Sequence, residues 1–408
     1  MNQGLTRKQR WISRKYLIYE FFTNLFFVSA IWLYFYRLFV TDQQVGIFDG
    51  VAFAIGLIAE VPSGILADRF GRDKMVKLGQ FLAGFGLLIQ AFGSSFVPFF
   101  IGQAIMMTGI SFVSGADEAL FFGELNFNQD SFNWRKLVTR GTQVSLIALL
   151  FSTVVGGWLY SIGPRIPWVL TGASFISSVL LIWRVKDSRG MRVKKKFILE
   201  LKEYLNNIKS GFLEFKAPKL WFYVPIIIIV QGLFYTAGWG LLRVILLDRF
   251  HFSPFVGSLV IASSSLLTVI ILSLMHKYAE SISERRVIVF ISLSAGASLL
   301  LSLADIGAWG YFVIFALYAG EHVLYPFMSE VLNYRISEEK RATVLSVASF
   351  LRALPYVFLA PIIGYLNTNN KLEYFLVVWA ILIFVAILVY LIFKRNDTHI
   401  KLVGGGLV

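Results

Sequence analysis

The chain has 408 residues, of which 57% are hydrophobic and only 15% charged, and a mean hydropathy of +0.69. That leaves too little polar surface to cover a water-soluble globule, so much of the chain must face lipid. It contains no cysteine, which removes disulfides and thiolate metal sites. The formal charge is +14, but nucleic-acid binding needs one basic face on a folded domain. Here the basic residues fall in loops between apolar runs, and no nucleic-acid partner is expected.

A polar start with five basic residues leads into a first apolar run too long for a cleaved signal peptide. Stretches of about 20 apolar residues, the length that crosses a bilayer as a helix, then follow almost without pause. We read twelve spans: 16–39, 44–67, 76–93, 96–120, 142–161 and 166–185, then, after a polar loop, 220–247, 254–276, 287–304, 309–332, 342–366 and 373–393. With the N-terminus inside, 32 of the 38 lysines and arginines lie on the inner side. The positive-inside rule therefore places both termini in the cytoplasm. The expected class is an all-α membrane protein, with an N-terminal six-helix bundle over 1–186 and a C-terminal one over 219–394. Between them lies a cytoplasmic central loop at 187–218, and the tail 395–408, closing on "GGGLV", reads as an artificial remnant in part.

In the central loop, Ile198, Leu201, Leu205, Ile208, Phe212 and Phe215 recur at intervals of three and four. That predicts one face of an amphipathic helix in the inner membrane interface. The two halves also echo each other: "RGTQVS" at 140–145 and "RATVLS" at 341–346 align at a constant offset of 201. Two six-span halves that repeat along the membrane normal are a transporter plan, with substrate held near the midplane.

Between spans two and three stands "GILADRFGR", preceded by "EVPSG"; "SGADEAL" closes span four. With Gly64, Leu66, Asp68, Arg69, Gly71 and Arg72 in place, this stretch resembles the signature loop of the major facilitator superfamily, and the flanking motifs resemble a bacterial branch of it. The resemblance covers essentially the whole chain. It implies two pseudo-symmetric six-helix bundles working by alternating access, with the loop as a latch between the halves in the outward-open state. Asp68 and Arg72 then take the latch roles, Asp117 or Glu118 is a further partner, and the region near Arg341 is the dock. Asp73 stands where a basic residue is usual, which weakens the latch. The second-half counterpart, "HKYAESISERR", is degraded.

Ionisable groups inside spans cost ~2.5–3.5 kcal/mol on insertion scales and persist mainly for function. Glu321 and His322 lie near the middle of span ten, Arg352 in span eleven, Glu60 in span two and Glu20 in span one. A carboxyl group in a low dielectric holds its proton more readily, and histidine titrates near neutrality. Glu321, His322, Glu60 and Glu20 are therefore the proton-coupling candidates; Glu321 paired structurally with Arg352, and Glu60 paired with Arg140, are the competing readings. Asn24, Gln143, Gln231, Tyr235, Trp239 and Arg352 are candidate cavity residues.

The antiporter pattern "GPxxGG" is half present in span five as "STVVGG". The reading is proton-coupled export of a hydrophobic or amphipathic small molecule across the cell inner (plasma) membrane by a monomer without cofactor. The alternatives are proton-coupled uptake of a sugar or other nutrient and a non-transporting membrane sensor. No "HExxH", metal-spaced histidine pair or phosphate loop is present, so no enzyme is expected.

Overall fold

The computed structural model describes residues 6–125, 134–187, 197–277 and 283–394. The tail 395–408, the basic run at 188–196 and part of the "HKYAESISERR" loop lie outside these residues. Every described element is helical. Nine helices among the described residues are long and apolar enough to cross a membrane, and Ile166–Leu181 is a shorter apolar helix. Each of the twelve predicted spans is occupied by helix, but three are interrupted. The chain divides into two compact units, 1–40 with 51–204, and 41–50 with 205–408.

In the first unit, span one is not continuous. Helix α1 (Arg7–Thr23) stops at Asn24, the chain runs through turns, and α2 (Trp32–Tyr36) resumes the span. A break inside a bilayer needs partners for its freed backbone groups. Ser152 of α7 (Trp134–Ile162) supplies one, and Thr153 beside it ties the broken segment down through a side chain. Ser152 Oγ accepts from the Phe26 amide at 2.9 Å, and Thr153 Oγ1 shares a 2.8 Å hydrogen bond with Ser29 Oγ. These two residues stand where the antiporter pattern has Gly-Pro, so the departure from that pattern serves the break.

Span two is α3 (Asp42–Phe70), whose first residues, 42–50, belong to the second unit. Span three is α4 (Arg72–Phe92). Span four divides at Gly115, whose φ of +70° suits a residue without Cβ, into α5 (Phe96–Val113) and α6 (Ala116–Leu125). Helix α8 (Ile166–Leu181) completes the set. Tyr16, Tyr19, Val76, Leu120, Phe121, Leu137 and Ile182 form one buried cluster. Phe35, Tyr36, Phe99 and Trp168 form a second, with ring centroids 4.2–5.8 Å apart.

The predicted amphipathic helix is α9 (Phe197–Glu214). Its first residues belong to the first unit, where Glu200 receives both Nε (3.1 Å) and a terminal nitrogen (3.0 Å) of Arg69. Its later residues belong to the second unit. There Glu214 pairs with Lys340 at 2.5 Å and the Phe212 ring meets Phe350 edge-on.

In the second unit, span seven is also interrupted. A π-helical turn, Ile226–Gln231, leads into α10 (Gly232–Gly238); the chain breaks at Trp239 and Gly240, and α11 (Leu241–Arg249) follows. At the offset of 201, the π turn falls on the break in span one. Against it pack α14 (Gly310–Arg335), α15 (Glu338–Thr368) and α16 (Leu372–Lys394), while α12 (Pro254–Lys277) packs on α14 and α13 (Glu284–Leu301) on α14 and α16. Prolines 326, 355 and 361 interrupt the hydrogen bonding of α14 and α15 from within. Residues 42–50 lie along α15: Asn367 Nδ2 donates to Asp42 at 2.6 Å, and the Tyr356 hydroxyl donates to Asp49. Large apolar side chains such as Ile58, Phe92, Leu180 and Phe290 are more than two-thirds exposed, as lipid-facing positions should be.

Candidate functional site

The second unit concentrates polar chemistry where α10, α14 and α15 meet. Glu321 (5% exposed) accepts a 2.5 Å bond from Arg352. The pair joins α14 to α15, so the carboxylate and guanidinium predicted to be neighbours are bonded partners. Gly238 permits the arrangement: a Cβ there would lie 3.1 Å from Glu321 Cγ. Arg352 lies over the Tyr325 ring at 3.8 Å and near Tyr235 at 5.3 Å, a cation–π environment that stabilises a desolvated guanidinium. Glu321 Oε2 is buried and has no hydrogen-bond partner among the described residues.

His322 faces a different neighbourhood, as consecutive helical residues must. Its ring stacks on Tyr318 at 4.4 Å and its Nδ1 lies 2.9 Å from the Tyr318 carbonyl oxygen, while Trp239 approaches at 6.1 Å. Beside the ion pair is a cavity of about 250 Å³ lined by Gln231, Tyr325, Ser329, Ser346 and Ser349 together with Met328, Leu332, Leu345 and Ala348. Tyr325 and Ser349 share a 3.2 Å hydroxyl contact on its wall. Gln231 at the end of the π turn is buried and donates to the Leu324 carbonyl at 3.3 Å, so its carboxamide oxygen is the group left to serve the cavity.

In the first unit, Glu20 accepts a 2.7 Å bond from Ser145, and Asn24 donates to the Glu20 carbonyl at 2.8 Å. Asn24 therefore closes α1 just before the break in span one. Glu60 has Ser114 as its side-chain hydrogen-bond partner. Gln143 is exposed.

The signature loop forms a tight local cluster. Arg72 pairs with Asp68 at 3.4 Å and donates to the Ala119 carbonyl at 3.3 Å; its backbone amide, at the start of α4, donates to Asp187 at 3.3 Å. Gly71 takes φ +96° in the turn, and Gly64 has open space where a Cβ would be. Asp117 accepts from Tyr19 at 3.3 Å, and Glu118 is exposed. Arg72 thus reaches the start of α6 through a backbone carbonyl, a different contact from the predicted Asp117 or Glu118 carboxylate. Asp73 pairs with Lys77 at 3.0 Å on α4. Arg341 belongs to the second unit, where it reaches the Asn333 carbonyl at 3.5 Å.

The family model described as Major Facilitator Superfamily matches residues 226–405. The MFS-type transporter YxaM of Bacillus subtilis (strain 168) is 23% identical over 392 residues, spanning 88% of this chain and 90% of its own. The chain belongs to the major facilitator superfamily. The fold agrees: the nucleoside transporter NupG superposes with a TM-score of 0.73 at 11% identity, over 96% of this chain and all of that one. A D-xylose-proton symporter gives 0.67 at 14% identity, over 96% and 98%.

As a transporter of this superfamily the chain handles a small-molecule substrate and is a multi-pass membrane protein, not an enzyme. Sequence reasoning passed over Tyr325, Ser346 and Ser349, the hydroxyl side of the cavity. A signal for part of it was present: Ser145 and Ser346 are the matched positions of the internal repeat. One holds Glu20 and the other lines the cavity. It also passed over Glu284, a buried carboxylate on α13 that gathers Tyr223, Tyr390, Arg335 and Lys394 around it.

Proposed function

We propose that this transporter couples proton movement to export of a hydrophobic or amphipathic small molecule by alternating access, with Glu321 as the proton carrier. The observation that carries the reading is the Glu321–Arg352 pair, buried in mid-span with one carboxylate oxygen free of hydrogen bonds among the described residues. An intramembrane ion pair whose carboxylate keeps an open acceptor is a proton-loading site with its counter-ion in place. Protonating Glu321 releases Arg352 onto its two tyrosines. That couples the proton to Tyr325, which the cavity shares.

The cavity supports the substrate class. Leucine, methionine and the tyrosine ring supply apolar area, three serines and one glutamine supply hydrogen bonds, and no charged side chain among the described residues lines it. The hydroxyl groups favour a second reading, uptake of a sugar-like solute in symport with protons. The charge distribution of the loops supports termini in the cytoplasm of a plasma-membrane protein, and the reading takes one chain, with its two units, as the working transporter. Reconstituted vesicles with an imposed pH gradient test the reading against a panel of amphipathic cations, nucleosides and sugars. A substrate driven against the proton gradient supports export, one driven with it supports symport, and flux indifferent to the gradient for every substrate overturns proton coupling.

The signature loop fits the latch role. The Asp68–Arg72 pair is largely exposed on the Asp68 side, 58%, and such surface pairs contribute about 0–1 kcal/mol to stability. Asp68→Asn should therefore leave thermal stability and substrate affinity near wild type while slowing transport by roughly tenfold, because only the balance between conformations changes. Equilibrium binding and initial transport rates on the same preparation check this. A variant that binds poorly but cycles normally once loaded would contradict the latch.

A further inference from the structure

A pocket in the first unit carries chemistry that the proposed proton site and substrate cavity do not use. At the start of α1 and the end of α8, both in the first unit, a cavity of about 480 Å³ is lined by Trp11, Lys15, Leu180, Leu181, Trp183 and Arg184. Trp183 is 66% exposed and Trp11 38%. Lys15 Nζ stands over the Trp11 ring at 5.8 Å. Neither Lys15 nor Arg184 is ion-paired with a described residue, whereas Lys8, Arg69, Arg72 and Lys77 of the same unit each have a carboxylate.

The pocket lies at the boundary of the apolar layer. Residue 16 opens the first apolar span and residue 185 closes the sixth, so the two cations flank the ends of neighbouring spans. Indole rings concentrate at the headgroup level, and Leu180 and Leu181 offer an apolar floor below them. Basic pockets between transmembrane helices at this depth suit anionic headgroups.

We propose that this pocket binds the phosphodiester headgroup of an anionic phospholipid, with Lys15 and Arg184 on the phosphate oxygens, the two indoles against the glycerol region and the leucines against the first acyl carbons. An ordinary interfacial belt would scatter these residues over a convex surface. Here they converge on one concavity, with the cations left without carboxylates.

The test uses the full chain purified in detergent. Binding is measured by native mass spectrometry and by thermal stabilisation with phosphatidylglycerol, phosphatidylcholine and inorganic phosphate, for wild type, Lys15→Gln with Arg184→Gln, and the charge-conserving Lys15→Arg with Arg184→Lys. The expected result is at least fivefold tighter binding of phosphatidylglycerol than of phosphatidylcholine, lost in the glutamine pair and retained in the charge-conserving pair. Equal binding of the two lipids by wild type overturns the proposal, as does a preference that survives in the glutamine pair. Inorganic phosphate protecting as well as phosphatidylglycerol overturns it too, since a free anion would then be the ligand. The charge-conserving pair also shows whether the mutated positions tolerate change, so misfolding of the glutamine pair alone is recognised by its melting curve in lipid-free detergent.

Discussion

Arg352→Gln is expected to destabilise the protein by ~3–5 kcal/mol, the cost of stripping a buried ion of its partner, while Glu321→Gln costs much less. The asymmetry follows from what each residue keeps. Without Glu321, Arg352 still lies over Tyr325 and near Tyr235, and the new amide still offers an acceptor. Without Arg352, Glu321 stays 5% exposed, and its Oε1 loses its bond while Oε2 already has none among the described residues. Thermal unfolding in one detergent, for both single variants and the double variant, measures this. The double variant should recover most of the loss of Arg352→Gln, because no charge remains to be compensated. Equal collapse of both single variants would make the pair structural.

The second large effect is expected at Glu284. It accepts from the Tyr223 hydroxyl at 2.5 Å and the Tyr390 hydroxyl at 3.1 Å, and it pairs with Arg335 at 3.3 Å and with Lys394. One carboxylate thus ties α13 to α14, α16 and the turn at Trp221–Tyr223. Glu284→Ala leaves two cations on those helices without the charge between them, and a loss of ~3–5 kcal/mol follows. Glu284→Gln keeps the tyrosine bonds and should lose less. Protease resistance and melting temperature in detergent report the difference; an alanine variant as stable as wild type would show the cluster to be incidental.

Much of this architecture was legible in the sequence because it depends on local runs. Apolar stretches of bilayer length marked the spans, and a period of three and four marked α9. The interruptions were not legible. Residues 24–31, "NLFFVSAI", contain no glycine or proline, and the break is held by Ser152 and Thr153, more than 120 positions away. The π turn is likewise spelled by four isoleucines, a valine and a glutamine, a composition that any apolar helix shares. Glu321 and Arg352 stood out because charge is rare at mid-span. Glu284 lies within the degraded loop motif "HKYAESISERR" and looked like a surface residue, since its partners are 51 to 110 positions further on or 61 before it. The hydroxyl wall of the cavity was visible only through the repeat, and only at Ser346.

The central claim is that Glu321 carries the coupled proton. The direct measurement is substrate movement in proteoliposomes with and without a pH gradient, comparing wild type with Glu321→Gln at matched protein content. The account predicts that Glu321→Gln binds substrate and performs gradient-independent exchange at near wild-type rates while losing all response to the gradient, since the amide mimics the protonated state. A stable Glu321→Gln that still moves substrate uphill with the gradient would contradict it.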